Sequence, residues 1–387
     1  MNSYWQYLSL MGVCGFQGVA FAQQQTDCST ELEYFTSFQT AGAPQHARVV
    51  GNMMYLADGH VGLQIIDVAD PENPTFLGRE STGGQHGTFA SDVEINEGRV
   101  YVTDWWGGLH IFDVLEPFDP VLIGKTDDLS GPNGVVVRNG FAYVADGPEG
   151  LKIVDVRNPQ RLRVVGSYDT PGHAEDVAVE DGIAYIADGI NGGLQIVDVS
   201  DPSMPLFLGS YARPNNTFGV VARGQMVLLA DGGTGLSAFD VSDPSNPVLL
   251  DVVQPGTAVW DVVLDGQIAY LALNTGGVMA VNVSDPSDLR GYAPTVTDGW
   301  TRCVAQYGHR IYASNTEMGI NVFGIEQSCG MDCDADFDGN GVLNFFDVSM
   351  FLGAYQDGHP DADMNTDGRF NFFDVSGFLN AFNAGCP

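Results

Sequence analysis

Gly62-Leu63-Gln64-Ile65-Ile66-Asp67-Val68 is not a solitary phrase. It returns as Gly108-Leu109-His110-Ile111-Phe112-Asp113-Val114 and as Gly150-Leu151-Lys152-Ile153-Val154-Asp155-Val156. Gly193-Leu194-Gln195-Ile196-Val197-Asp198-Val199 and Gly235-Leu236-Ser237-Ala238-Phe239-Asp240-Val241 follow. Two decayed copies run from Gly277 to Val283 and from Gly319 to Ile325. Measured at the Asp67 position, the steps are 46, 42, 43, 42, 42 and 42 residues. A fixed period of this length identifies a repeat architecture before any other feature is weighed.

Within one period there are four short apolar runs. In the fourth copy they are Asp176-Val177-Ala178-Val179, Ile183 to Ala187, Leu194 to Val199 and Pro205 to Tyr211. Asp181-Gly182, Asp188-Gly189 and Asp201-Pro202 separate them, and such pairs are turn formers. Four antiparallel strands per 40–45 residues is the arithmetic of a β-propeller blade. Seven copies predict a mainly β fold, a seven-bladed β-propeller of four-stranded antiparallel blades. The seventh copy lacks its fourth run, and Leu32-Glu33-Tyr34-Phe35-Thr36-Ser37-Phe38 supplies a matching one. Strand 32–38 is therefore expected to complete the last blade and remove its open edge. That closure would bring Cys28 beside Cys329 as a disulfide spanning the whole ring.

Leu-Gln-Ile-Ile-Asp at 63–67, Leu-Lys-Ile-Val-Asp at 151–155 and Leu-Gln-Ile-Val-Asp at 194–198 resemble the LVIVD-repeat family. The resemblance extends over 29–326. It implies a secreted or surface propeller and carries no catalytic residues with it.

Composition narrows the function classes. The 387 residues are 44% hydrophobic and only 17% charged, with 49 glycines, which suits short strands and tight turns. A net charge of -34 repels nucleic acid and anionic membrane surfaces and makes both improbable partners. Residues 1–22 read as a signal peptide: an apolar stretch from Tyr7 to Phe21 ends in Ala20-Phe21-Ala22. Export places the remaining cysteines in an oxidising compartment. No later segment reaches the ~20 apolar residues of a membrane span, so no membrane insertion is expected.

After Cys329 the composition changes. From Asp332 onward there are ten Asp and no Glu. Two segments 27 residues apart, Asp336 to Asp347 and Asp363 to Asp374, have the length and spacing of a calcium loop. Oxygen side chains stand at positions 1, 3, 5, 9 and 12: Asp336, Asp338, Asn340, Asn344 and Asp347, then Asp363, Asn365, Asp367, Asn371 and Asp374. Gly341 and Gly368 occupy the sharp turn, and Val342 and Arg369 offer backbone carbonyls at position 7. Each loop leads into an apolar helix start, so a small α-helical, EF-hand-like module holding two calcium ions is expected. Paired loops with Asp at position 12 resemble a type I dockerin over residues 333–386. The resemblance implies a cohesin-like or cell-surface protein partner. Phe345-Phe346 and Phe372-Phe373 stand where cohesin-reading polar residues usually sit. Cys333 and Cys386 are placed to clasp this module, leaving Cys303 as the free thiol.

The recurrent Asp at 58, 104, 146, 188 and 231 precedes a turn and reads as an acceptor of backbone N–H groups, as does the one at 67, 113, 155, 198 and 240. Aligning the blades gives the first channel-facing residue of each inner strand as His46, Asp92, Gly134, Asp176, Gly219, Asp261 and Cys303. His46, Asp92, Asp176 and Asp261 are a candidate site for a cation or small ligand at one channel mouth. His86, His173, Trp260, Trp300 and Arg302 lie nearby in the alignment, and Trp105-Trp106 could meet a sugar ring or a partner surface. His60, His110, His309 and His359 suggest no site. No nucleophile elbow, zinc motif or phosphate loop is present. The expected function is secreted, non-catalytic binding or display of a protein or glycan, with the calcium module anchoring or assembling the propeller. The rival reading is an extracellular carbohydrate-active enzyme, an O-glycosyl hydrolase or lyase of polysaccharide catabolism, working at the channel mouth. A purely structural surface-layer component is a third.

Overall fold

The computed structural model describes residues 29–83, 87–212, 215–275, 277–315, 319–328, 335, 337, 345–357, 362, 364 and 369–384. Seven four-stranded antiparallel sheets are arranged as a ring. Blade 1 is His46–Val50, Met53–Ala57, Leu63–Asp67 and Thr75–Glu80, from the channel outward. Each later blade repeats that order. The third strand is the repeated phrase, and its glycine has a positive φ in all seven copies, from 68° at Gly193 to 113° at Gly235. A side chain there would be strained, so glycine is fixed at the strand entry.

Neighbouring blades cover both faces of each third strand, which explains its continuous apolar run. Leu63 and Ile65 are fully buried, and Ile66 is nearly so. One apolar cluster fills each of the seven spaces between blades. Between blades 1 and 2, Tyr55, Leu63 and Ile65 meet Val93, Val100, Val102 and Phe112. Outside these clusters the fourth strands dock through glycine. Gly78 lies against Pro117 and Pro120 of the next blade, Gly124 against Pro159, Gly166 against Pro202, and Gly209 against Pro244. A Cβ at any of these would collide with backbone. In blade 5 the same register position is Asp251, whose carboxylate accepts the Leu289 N–H at 2.8 Å.

The ring is shut by the two ends of the propeller. Ser29–Phe38 pairs antiparallel with Gly319–Ser328, the third strand of blade 7, from Ser29↔Ser328 to Phe38↔Ile320. Leu32 enters the cluster between blades 6 and 7, against Phe323, Ile311 and Tyr270. Thr36 stands opposite Val322, the place that Gly78 holds opposite Ile65 in blade 1. The docking found elsewhere is missing at this seam, and a cleft of about 370 Å³ lined by Phe38, Ile66, Phe76 and Arg79 opens there.

Beyond the ring, helices Phe345–Asp357 and Phe372–Ala384 pack together. Phe351 and Phe378 stack with centroids 4.1 Å apart. Their cluster is made of pairs 27 residues apart: Ala335 with Ala362, Phe337 with Met364, Val348 with Val375, and Tyr355 with Phe382. The sequence duplication is thus a packing duplication. Residues 1–22, Cys28, Cys329, Cys333, Cys386, and Asp336, Asp338, Asn340, Val342, Asn344, Asp363, Asn365 and Asp367 lie outside the described residues. Among the described residues no helix is long and apolar enough to cross a membrane.

If the seam strand carries the ring's closure, Leu32→Ala should cost about 2–4 kcal/mol in urea unfolding, the usual cost of truncating a buried leucine. Glu33→Ala, one residue along and exposed, should change stability by less than about 0.5 kcal/mol. Equal effects would show that the strand is not part of the cooperative unit.

Candidate functional site

The channel mouth is built by the starts of the seven inner strands. The alternation of side chains along a strand points every second residue into the channel. His46, Asp92, Asp176 and Asp261 come together there, all lining one cavity of about 130 Å³. His46 Nδ1 lies 2.5 Å from Asp92 Oδ1, and His46 Nε2 lies 3.8 Å from Asp261 Oδ2.

The carboxylates are not free to act. Asp92 Oδ1 accepts the Val93 N–H, and Oδ2 accepts the Val135 N–H of the next blade, both at 2.7 Å. Asp176 does the same with Val177 at 2.7 Å and Val220 at 2.9 Å. Asp261 does so with Val262 at 2.7 Å and Val304 at 3.0 Å. Each is a clamp between adjacent inner strands. A carboxylate taking two backbone N–H groups contributes about 1.5–3 kcal/mol per bond. The clamps explain the glycines between them. A Cβ at Gly134 would stand 2.7 Å from Asp176 Oδ1, and one at Gly219 would stand 3.1 Å from Asp261 Oδ1. Among the described residues no group of three His, Cys, Asp or Glu is arranged to hold a metal ion.

The electrostatics follow from crowding. Burial pushes Asp176 up, and Asp92 and Asp261 add to the rise, so that it titrates at about 7. Burial also acts on Asp92, but the His46 charge and hydrogen bond, with Arg48, outweigh it and leave Asp92 below the usual range. His46 gains the converse: burial opposes its charge, Asp92 favours it, and the net pKa lies above the ordinary value. Arg48, two residues deeper, lies 3.4 Å from Glu94, which also meets Arg138 at 3.3 Å. Burial drives the Cys303 thiol up to about 12, so it is no nucleophile.

A second ring was missed by reading the sequence at every other channel position. The residues immediately before the first ring are Gln45, Ser91, Asn133, Glu175, Phe218, Trp260 and Arg302, and all seven line the mouth. From blade 1 to blade 4 this ring is polar. At blades 5 and 6 it is aromatic, and at blade 7 cationic. Phe218 and Trp260 stack at 4.6 Å, 3° from parallel. The Arg302 guanidinium lies 4.4 Å from the Trp260 ring centroid. Opposite, His173 Nδ1 lies 3.2 Å from Glu175 Oε1, and Trp105 stacks on His173 at 5.8 Å. Phe89 also lines the mouth, and His60 packs on Phe89 and Trp106 at its rim. His60 was read as uninformative, and no spacing in the sequence joins it to Trp106. His86 lies outside the described residues, and Trp300 is exposed away from the mouth lining.

The turn aspartates behave as expected. Asp58 accepts the Gly42 N–H at 2.7 Å, Asp146 that of Gly131 at 2.9 Å and Asp188 that of Gly172 at 2.8 Å. Asp67 and its counterparts cap their own loops, as with Ala69 N–H to Asp67 at 2.9 Å.

The LVIVD repeat model matches residues 41–82, 87–128, 133–170, 171–213, 216–254 and 256–290, more than half of the chain. The chain belongs to the LVIVD-repeat family. Six of the seven blades of this LVIVD-repeat protein carry the match, and the seventh has decayed beyond it. Its fold is similar to that of the RRP9 WD40 repeats, with TM-score 0.62 and 8% identity, covering 77% of this chain and 100% of that one. U3-55K gives 0.61 and 10%, covering 76% and 98%. The computationally designed Ika8 protein gives 0.56 and 9%, covering 76% and 99%. These likenesses concern the fold alone. No curated protein matches the chain.

The clamps generate a pH signature. Between about pH 4 and 7 the folded chain keeps the Asp176 proton and the unfolded chain has lost it. Stability attached to this group is therefore full below about pH 4 and is lost as pH rises through 7. Asp176→Asn has no proton to lose. Its stability relative to the native chain should rise from pH 4 to 7.5 by up to about 4 kcal/mol in urea unfolding. A flat difference across that window would refute the shift.

Proposed function

We propose that this LVIVD-repeat propeller is a secreted, non-catalytic binding protein whose channel mouth takes the partner, a protein or glycan, and whose C-terminal module anchors or assembles it. One observation carries the binding reading. The acidic groups that could do chemistry at the mouth are spent on clamps between blades, while the ring above them is open. Trp105 and Trp106, 37% and 51% exposed, extend that ring outward as an aromatic rim. Exposed aromatic rings beside polar groups are typical of recognition surfaces.

The module is proposed to be dockerin-like and to bind two calcium ions. The residues described there fit hard cations. Asp347 and Asp374 hold position 12 of the two loops and both are fully buried. Carboxylates so far from water call for compensating positive charge or donors. When bound, the ions would neutralise the acidic loops and hold them against the helices. The proposed ligands are Asp336, Asp338, Asn340, Val342, Asn344 and Asp347, and Asp363, Asn365, Asp367, Arg369, Asn371 and Asp374. A cohesin-like or cell-surface protein is the proposed partner. The pairs Cys28–Cys329 and Cys333–Cys386 are proposed to be disulfides. The register that sets Ser29 opposite Ser328 supports the first.

Two measurements test this reading. Calcium titrated into the metal-stripped full chain should bind at two ions per chain, falling to one in Asp347→Asn or Asp374→Asn, and peptide mapping without reductant should recover both disulfides with Cys303 free. No calcium uptake would remove the anchoring role. Incubated with a panel of extracellular polysaccharides, the protein should release no new reducing ends or unsaturated products. It should be retarded by at least one of them in affinity electrophoresis, and Trp105→Ala should lose that retardation. Turnover abolished by Asp176→Asn would overturn the binding reading in favour of an enzyme.

A further inference from the structure

Arg302 is placed in an unusual way for a chain so rich in carboxylates. It opens the inner strand Thr301–Tyr307 of blade 7 and lies flat over Trp260, whose ring is in turn stacked on Phe218. The three planes form a stack that fixes the guanidinium at the mouth before anything binds. Burial depresses the Arg302 pKa, and the only carboxylate opposing that effect is Glu175. The two do not touch. Glu175 is held across the mouth by His173 Nδ1 at 3.2 Å and by Asn133 Nδ2 at 3.2 Å. Among the described residues no acceptor takes a hydrogen bond or ion pair from the Arg302 guanidinium. Trp260 Nε1, buried beside it, has no partner there either. A fixed planar fork with unused donors is the geometry that recognises a planar oxyanion in two-point fashion.

The opposite arc supplies the complementary chemistry. Glu175, Asn133 and Gln45 accept and donate hydrogen bonds around the same cavity of about 130 Å³. That volume takes a ring or a side chain and excludes a folded element. A carboxylate alone would use Arg302 and ignore the polar arc. An acidic peptide side chain brings no hydroxyls to it. A sugar ring that bears a carboxylate uses both arcs, with its C–H face toward the aromatic residues.

Resting on the binding reading above, we infer that the channel mouth recognises a hexuronate, its carboxylate on Arg302 and its hydroxyls on the Glu175–Asn133 arc. Glu175 limits how much negative charge the site accepts, and the net charge of -34 disfavours long polyanions. A short acidic sugar or chain end is the expected ligand.

The test uses the full chain and two probes in calorimetric titration: a galacturonate trisaccharide and the same trisaccharide with its carboxylates methyl-esterified. The acid should bind and the ester should bind at least tenfold more weakly. Arg302→Gln should abolish the preference, and Arg302→Lys, which keeps the charge but loses the fork, should weaken acid binding about tenfold or more with an unchanged melting temperature. Should Arg302→Gln fold poorly, Arg302→Lys and Trp260→Phe carry the same comparison. Equal binding of acid and ester would overturn the carboxylate assignment and leave the binding mouth standing. Binding of neither probe by the folded chain, with another polysaccharide still retarded in electrophoresis, would overturn the hexuronate alone.

Discussion

Everything in this molecule depends on one pairing, that of Ser29–Phe38 with Gly319–Ser328. A blade cannot bury its own faces. Its third strand is apolar on both sides and is covered only because a neighbour lies on each. In a ring this condition is met everywhere or nowhere, so the last interface decides the fate of the first. Blade 7 closes by borrowing its outer strand from the beginning of the chain. That leaves no exposed edge in the seventh sheet where the chain's two propeller ends meet. It also ties residues nearly 300 positions apart into one sheet. The same seam is where the packing is loosest. Thr36 occupies a position that glycine holds in blades 1 to 4, and the cleft beside Phe38 and Phe76 is the consequence.

The propeller was legible because its periodicity is written in residues whose reasons are local. Gly-Leu at the entry of the third strand answers a positive φ and a buried wall. Asp at the end of the second strand answers backbone N–H groups in the following turn. These are short-range demands, repeated seven times, and repetition separates them from chance. The first ring of the mouth was legible for the same reason, since alignment alone sets His46, Asp92, Asp176 and Asp261 at one height. Its use was not. Whether a carboxylate is open or occupied depends on the N–H of another blade, some 43 residues away: Val135 for Asp92, Val220 for Asp176. Nothing in the spacing distinguishes a ligand from a clamp.

The second ring was hidden by variety. Gln45, Ser91, Asn133, Glu175, Phe218, Trp260 and Arg302 share no chemistry, so no repeat pattern points to them. That is the mark of positions freed from structural duty. Residues of the first ring are constrained by the clamps and repeat two types, Asp and Gly, over five blades. Residues directly before them meet no such constraint, and each has its own character. The stack of Phe218, Trp260 and Arg302 could not be foreseen, because it joins single residues from three blades into one object. His60 escaped for a similar reason: its neighbours Phe89 and Trp106 belong to the next blade.

The clamps also explain where the mouth breaks its own symmetry. An aspartate that reaches across to the next inner strand needs a small residue beside it, hence the alternation Asp92, Gly134, Asp176, Gly219, Asp261. Seven is odd, so alternation of large and small cannot close on itself. One fault is obligatory, and it lies at the seam between blades 7 and 1. There Cys303 follows Asp261, and its sulfur takes the Ala47 N–H as the carboxylates take theirs. Ala47 follows His46 as Val135 follows Gly134, so Cys303 serves as the clamp of the seventh blade without its charge. His46 then falls next to Asp92 with no glycine between them, and its imidazole neutralises the crowding that three carboxylates would otherwise impose. A fourth aspartate at 303 would have added a negative charge beside Asp261, whereas a thiol held near 12 adds none. The imidazole, the thiol and the strand borrowed from the chain's start therefore gather at one seam, because an odd ring must be mended where its ends meet.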